Sequence, residues 1–272
     1  MKNNEIFKMN RNRILWFIVL AIVIVAITTS LKTSYSQQNE KPSEIKCSPT
    51  PQKPTREQIR AKYESQFPVA NYDAAELSNS EEREQRKAKN NRYDKIRLVV
   101  KNPNPQTIES NLADESVPPS AIPIKESDLV IIGDILDAKA YLSNNQTGVY
   151  SEFNIRVDET LKNNSPISVI GGEKITADRL GGFVQYPNGQ KLLYSVSGKG
   201  MPRVGKRYIL FLAKPDLSPN YSILTGYELK ENKIHSLDDT YIFRAYNEAN
   251  ATDFIKTIKE AISQQSQKVG NQ

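Results

Sequence analysis

Between Ser127 and Lys230 the chain is a succession of short β-type runs separated by turn residues, with no helical pattern between them. That spacing restricts the fold more than any other feature, because consecutive short strands without intervening helices close into an antiparallel barrel or stack as a sandwich. Ser127 to Leu142 opens the stretch, rich in Val, Ile and Leu, with Gly133 inside the run. An interior glycine marks a bulge or sharp bend, since it tolerates backbone conformations that other residues avoid. Asn144 to Gly148 supplies turn chemistry, and the run after it alternates. Val149, Phe153, Ile155 and Val157 share one side, while Tyr150, Glu152, Asn154, Arg156 and Asp158 share the other. Period two with one apolar face predicts a half-buried strand, in which a one-residue slip would bury the charges.

After a turn at Lys162 to Pro166, strands are expected near Ile175 to Leu180, Phe183 to Tyr186 and Lys191 to Val196, separated by Gly181-Gly182 and Pro187-Asn188-Gly189. Tyr208 to Leu212 is apolar on both faces and reads as a central strand, followed by Tyr221 to Leu229 and Lys233 to Ser236. The long, glycine-bent first strand favours a small antiparallel OB-like barrel, since coiling lets it pair at both ends; a β-sandwich is the alternative. This ~110-residue region suffices for one ordinary hydrophobic core.

The rest of the chain delivers or tethers that domain. Ile14 to Ile27 is an unbroken apolar run of 14 residues, extended to Leu31 by Thr28, Thr29 and Ser30, and four basic residues precede it. The pattern predicts an export segment with the N-terminus held in the cytoplasm. Residues 14–31 then either anchor the chain in the membrane as a single span, or are removed after Ser36, where Ser34 and Ser36 sit at the −3 and −1 positions of a cleavage site. The domain beyond is extracytoplasmic in the first case, and secreted or periplasmic in the second. Residues 1–13 form the basic N-terminus and 32–126 a partly disordered linker with short helices. Residues 127–240 form the β domain and 241–272 a C-terminal helix and tail.

Within the linker, Pro42, Pro49, Pro51 and Pro54 mark an extended spacer, and Thr55 with Gln58 resembles a capping box for a short helix bearing Ile59, Tyr63 and Phe67. Ser80 to Arg92 is almost wholly charged and lacks an apolar stripe, which predicts a solvated helix or disordered link; a partner-docking helix is the alternative. Pro103, Pro105, Pro118, Pro119 and Pro123 mark a second link. At the C-terminus, Asn250 can cap a helix whose Phe254, Ile255, Ile258, Ala261 and Ile262 form one stripe for packing on the barrel or over its open end. A membrane-surface helix is the alternative, and the tail from Gln264 is expected to fray.

Charge and chemistry narrow the function. Of the formal charge of +6, the residues up to Ser36 contribute +4, so the remainder is close to neutral and nucleic acid is not an expected partner. The single cysteine, Cys47, cannot form an internal disulfide, has no lipobox before it, and reads as an exposed thiol in a linker. His235 is the only histidine, so triads and histidine-ligated metals would all have to converge on it; it reads as a hydrogen-bonded surface residue at a strand end. Gly200 to Arg207 superficially resembles a phosphate-binding loop. It has Arg207 where Ser or Thr would hold magnesium, and a strand where a helix should begin, so a hairpin loop is expected.

Asp134 with Asp137, Asp158 with Glu159, and Asp238 with Asp239 are carboxylate pairs, and with Asp178 they would serve hydrolysis only if distant members met at a barrel mouth. Asn145, Asn163, Asn220 and Asn250 stand in N-x-Ser/Thr sequons, which matter only in a eukaryotic secretory route. Tyr141, Tyr150, Tyr186, Tyr194, Tyr208, Tyr221 and Tyr227 fall in the β region, where core packing is the first reading and a base- or sugar-stacking face the second. No catalytic, cofactor or metal-binding signature is present.

Ser127 to Ala138, Val149 to Lys162, Gly205 to Leu212 and Ile223 to Leu229 resemble segments of uncharacterised exported bacterial proteins that pair a signal or anchor with one β domain. In outline the same segments are similar to the OB-like barrel of the netrin and metalloproteinase-inhibitor type, over roughly residues 127–230. That inhibitor family depends on an N-terminal cysteine and several disulfides, which this chain lacks, so the resemblance implies a fold and transfers no functional residue. The expectation is an extracytoplasmic, non-catalytic β-barrel interaction module whose partner is an envelope or secreted protein. A carboxylate-dependent hydrolase and an OB-type nucleic-acid or glycan binder are the alternatives.

Overall fold

The computed structural model describes residues 55–99, 109–113, 119–216 and 218–270. The apolar segment 14–31, the spacer 37–54, Cys47 and the prolines at 103, 105 and 118 lie outside the described residues. In chain order the elements are α1 (Arg56–Glu64), β1 (Val69–Asn71), α2 (Ser80–Asn91), β2 (Arg97–Val99) and β3 (Glu109–Ala113). Then follow β4 (Leu129–Leu142), β5 (Val149–Asn163), β6 (Lys174–Leu180), β7 (Gly182–Gln185), β8 (Lys191–Val196), β9 (Arg207–Ala213), β10 (Tyr221–Lys230) and β11 (Lys233–Ser236). α3 (Tyr241–Arg244) and α4 (Ala251–Gly270) close the chain.

Five of these strands close on themselves in the order β4-β5-β6-β10-β9, with β9 returning to β4 and β11 extending the sheet from β10. The fold is therefore a barrel with a C-terminal helix, not a sandwich. β4 makes closure possible. Over Leu129 to Asp134 it pairs with β9 at one edge, and along its whole length it pairs with β5 at the other. Three register shifts against β5 bend it, at Val130/Ile131, Ile132/Gly133 and Ile135/Asp137. Gly133 is required at the second, since a Cβ there would lie 2.5 Å from the Arg156 carbonyl oxygen. The expectation of an antiparallel barrel needs one correction: β6 and β10, which complete the ring, run parallel, with Tyr221 opposite Ala177 and Ser222 opposite Asp178. The chain leaves β6, builds other structure and returns through β9 before adding β10.

The interior is filled by Leu129, Ile131, Ile135, Phe153, Ile155, Val157, Leu210 and Leu212. The strand apolar on both faces now has its explanation. Leu210 and Leu212 of β9 point into the barrel, while Ile209 and Phe211 point outward with Val130, Ile132 and Tyr227, where Phe254 and Ile258 of α4 cover them. α4 thus packs on the outer wall of the barrel, and burying each such side chain contributes roughly 1.5–3 kcal/mol. Asn250 starts the helix, its Oδ1 accepting hydrogen bonds from the N–H of Thr252 (2.9 Å) and Asp253 (3.2 Å). The capping box at α1 also forms, with reciprocal bonds between Thr55 and Gln58 of 2.9 and 3.2 Å.

β7 and β8 pair as the expected hairpin, with their turn at Gly189, but they belong to a second sheet, ordered β1-β7-β8-β3-β2. Gly181 and Gly182 are where the chain departs from the barrel. Both have positive φ (110° and 146°), and a Cβ on Gly182 would meet Ser151 Oγ at 2.8 Å and Ala140 Cβ at 2.9 Å. The other strands of that sheet come from the stretch expected as linker: β1 runs parallel to β7, and β3 parallel to β8. With three to five residues each, these strands carry too little periodicity to stand out in the sequence. Ala70, Ala140, Val149, Val184, Tyr194 and Val196 form the core between this sheet and the barrel.

Candidate binding surface

The charged run 80–92 is ordered, and charge is what docks it. Asn79 caps α2, its Oδ1 accepting from the N–H of Glu81 at 2.9 Å and Glu82 at 3.4 Å, with both acids well placed in the first turn. No side chain of the helix itself is buried. Arg86, Lys89 and the C-capping Arg92, spaced three apart, project from one face onto the outer wall of the barrel at β5, β6 and β10. Arg86 Nη1 lies 2.7 Å and Lys89 Nζ 3.1 Å from Glu152 Oε1, and Arg92 Nη1 lies 3.4 Å from Asp178 Oδ2. Arg86 also donates to Tyr150 Oη (3.0 Å), and the Tyr150 hydroxyl donates to Asn90 Oδ1 (2.7 Å). Lys89 reaches Asn220 Oδ1 at 3.4 Å, and Arg92 reaches Ser222 Oγ at 3.3 Å.

Stacked rings lie at the end of the helix. Tyr93 stacks on Tyr150 with centroids 4.0 Å apart, Tyr141 follows at 5.6 Å, and the Arg86 guanidinium sits 3.7 Å above the Tyr141 ring. The β4–β5 turn grips from the side: Asn144 Nδ2 donates to the Lys87 carbonyl (3.0 Å), and Asn145 Nδ2 donates to the Asp94 carbonyl (2.6 Å). The expectation of a solvated helix or disordered link over 80–92 is met in part: a helix forms with no buried side chain, but it is not a disordered link and one face is docked. It looked outward because no apolar stripe was present, but the barrel wall it meets is itself polar and acidic. The tyrosine-bearing wall of β5 is thereby covered, and Tyr150 is fully buried.

Burial pushes the Asp178 carboxyl above its ordinary range, opposed by Arg92 and by hydrogen bonds from Tyr93 and Ser222. Between the ordinary value near 4 and the raised one, the folded chain holds a proton that the unfolded chain has released, so stability present below that window falls as pH rises through it. Asp178→Asn removes this titration. Urea midpoints followed across the window are expected to shift in the variant's favour with rising pH; parallel wild-type and variant curves would contradict the assignment.

On the other flank of α2 lies a cleft of about 770 Å³, bounded by the 69–77 segment and the end of β4. Arg83, Arg86 and Lys87 of α2 and Lys139 of β4 line it, with Tyr72, Tyr141 and Glu76. Nothing in the sequence singled it out, because its walls come from segments about seventy residues apart. The only legible trace is the dense basic spacing of α2.

The sequence-derived candidates lie elsewhere. Asp134 and Asp158 do come together, but around Arg156 and Arg207: Asp134 is 2.5 Å from Arg156 and 3.8 Å from Arg207, which also pairs closely with Asp158. These half-exposed cross-strand ion pairs leave neither acid free for proton transfer. Asp137 accepts from Asn154 (2.7 Å), Glu159 pairs with Lys259 (2.8 Å), Asp239 with Arg244 (2.5 Å), and Asp238 with the buried Arg179. Asp178 is under α2. His235 Nδ1 lies 3.3 Å from Glu248 Oε1, and the residue borders a separate cleft of about 270 Å³ with Tyr208, Arg203 and Glu228.

Gly200 to Lys206 is a loop with β9 starting at Arg207, but β8 and β9 are not paired, so it crosses between sheets and is not the expected hairpin loop. Of the sequons, Asn145 holds Asp94, Asn220 is buried and Asn250 caps α4. Among the described residues no group of three or more His, Cys, Asp or Glu is placed to hold a metal ion, and no helix is long and apolar enough to cross a membrane. The chain matches no protein-family profile and no curated protein.

Proposed function

We propose that this chain is an extracytoplasmic, non-catalytic interaction module, a β-barrel of the OB type delivered by residues 14–31, which remain as a membrane anchor or are cleaved after Ser36. The strand order supports the OB assignment: five strands ring the barrel as first-second-third-fifth-fourth, with the third and fifth parallel. The observation that carries the functional reading is the cleft beside α2. It is of ligand-binding size and lined by cations and aromatic rings, whereas the carboxylates that a hydrolase would need are held in ion pairs away from it. In OB folds the wall of the second and third strands binds ligands; here α2 occupies it and shifts the open surface to its own flank.

A photocrosslinking amino acid at Ala75, in the cleft, tests this in the native envelope against the same group at Lys256 on α4. A discrete adduct from the Ala75 position alone is expected. Equal adduct patterns from both positions, or turnover of a substrate by the purified protein, would overturn the reading.

A further inference from the structure

The cleft beside α2 carries enough chemistry to name the class of its ligand. Lys139 makes no ion pair among the described residues; its Nζ lies 5.3 Å from the Tyr141 ring. Among the described residues Lys87 pairs only with the exposed Glu84 three residues before it (3.3 Å), and Arg83 with Glu76 (3.2 Å), whose side chain is 75% exposed. Such solvated pairs are weak and exchange readily for a better anion. Only Arg86, bound to Glu152, is fully engaged below. The cleft therefore presents three cations, unpaired or held only in solvated pairs, against one exposed acid of its own lining.

The opposite wall is a strand edge. Among the described residues β1 is terminal in its sheet and pairs with β7 alone. In that parallel ladder the Pro68 carbonyl accepts from Phe183 N–H (3.0 Å) and Tyr72 N–H donates to the Gln185 carbonyl (2.9 Å). Alternate residues, Val69 and Asn71, thus turn their backbone groups away from β7, and both line the cleft. The Asn71 carbonyl is taken by Ala74 N–H (3.2 Å), which leaves the N–H of Asn71 and both groups of Val69 without a backbone partner among the described residues. An unpaired edge is a template for an added strand.

Two anionic ligand types suit the cations, and the rings decide between them. An acidic sugar gains from stacking on open aromatic faces, and these rings are already engaged: Tyr72 stacks on Tyr186 at 4.9 Å, and Tyr141 carries Arg86 at 3.7 Å and stacks against Tyr150. A peptide needs the strand edge, which is present. We propose that the cleft binds an acidic peptide segment in extended conformation, paired along β1 with its carboxylates against Arg83, Lys87 and Lys139. Backbone pairing supplies orientation, and charge complementarity supplies selection and encounter rate.

The test uses the full chain in non-ionic detergent and fluorescein-labelled hexaglutamate, read by anisotropy. Saturable binding is expected, weakened roughly tenfold or more by the pair Lys87→Glu and Lys139→Glu, as reversing cations on a complementary surface should do. Lys256→Glu on α4 should leave it unchanged. Hexaglutamate N-methylated at alternate residues keeps its charge but cannot pair as a strand, and should bind roughly tenfold more weakly. Absence of saturable binding, equal binding of the methylated peptide, or equal binding of an oligoglucuronate of the same charge would each overturn the proposal. The inference rests on the reading of the chain as a binding module. Failure of the peptide with the Ala75 adduct intact rejects the inference alone, whereas loss of both rejects that reading as well.

Discussion

Asp238→Ala is expected to cost about 3–5 kcal/mol of folding stability, the usual penalty for breaking a buried ion pair by removing one member. Asp238 and Arg179 are each 3% exposed at the side chain and bonded directly to one another. Arg179 Nη1 also donates to the carbonyls of Ile223 and Leu224 at 3.4 Å, and Asp238 Oδ1 accepts the Gly200 N–H at 3.0 Å. One pair therefore joins β6, β10, the loop after β8 and the turn after β11. Removing the carboxylate breaks a buried ion pair and loosens that loop. The double variant Arg179→Met with Asp238→Leu should recover at least half the loss, because replacing both partners removes the uncompensated charge. Urea unfolding of the two variants checks this. A double variant no more stable than Asp238→Ala would show that the loop contacts, not the charge, set the cost.

Phe254→Ala on α4 should be comparably damaging, at about 3–5 kcal/mol. The Phe254 ring lies 4.7 Å from the Tyr227 ring and 5.3 Å from the Tyr246 ring, and the residue is 4% exposed. Tyr227 belongs to β10 and is itself fully buried, so the cavity opens against the barrel wall, where rigid strands limit collapse. Lys256→Ala, on the exposed side of the same helix, should change stability by no more than about 0.5 kcal/mol. This contrast separates a helix that belongs to the barrel from one that lies on a membrane surface. In the second case Phe254→Ala would leave the unfolding transition where it was.

Much of the barrel was readable because its strands are long or strongly patterned. The alternation from Val149 to Asp158 placed β5, the glycine at 133 placed the bend in β4, and the double-sided apolar run at Tyr208 to Leu212 required cover on both faces, which the core and α4 provide. Strand partners were less readable. Period two says that a segment is extended, not which neighbour it meets, so the parallel closure of β6 on β10 and the transfer of β7 and β8 to a second sheet were both missed.

The binding surface was the least legible part. A helix docked by Arg86, Lys89 and Arg92 onto Glu152 and Asp178 leaves no apolar signature in either segment, because each looks solvated until the two are brought together. A basic residue every third position followed at once by a tyrosine, as in Arg86 to Tyr93, is the pattern that could have signalled it. The same reasoning explains Asp134, whose counter-ions Arg156 and Arg207 lie on the two strands flanking β4 and far from it in sequence.

The proposed role depends on where the barrel operates. Alkaline phosphatase, which gains activity only outside the reducing cytosol, can be fused after Gln272 and assayed in intact cells. An exported module predicts high activity that collapses when basic residues are placed within 14–31 to break the apolar run. Activity confined to a partner fusion that works only in the cytosol would contradict the account.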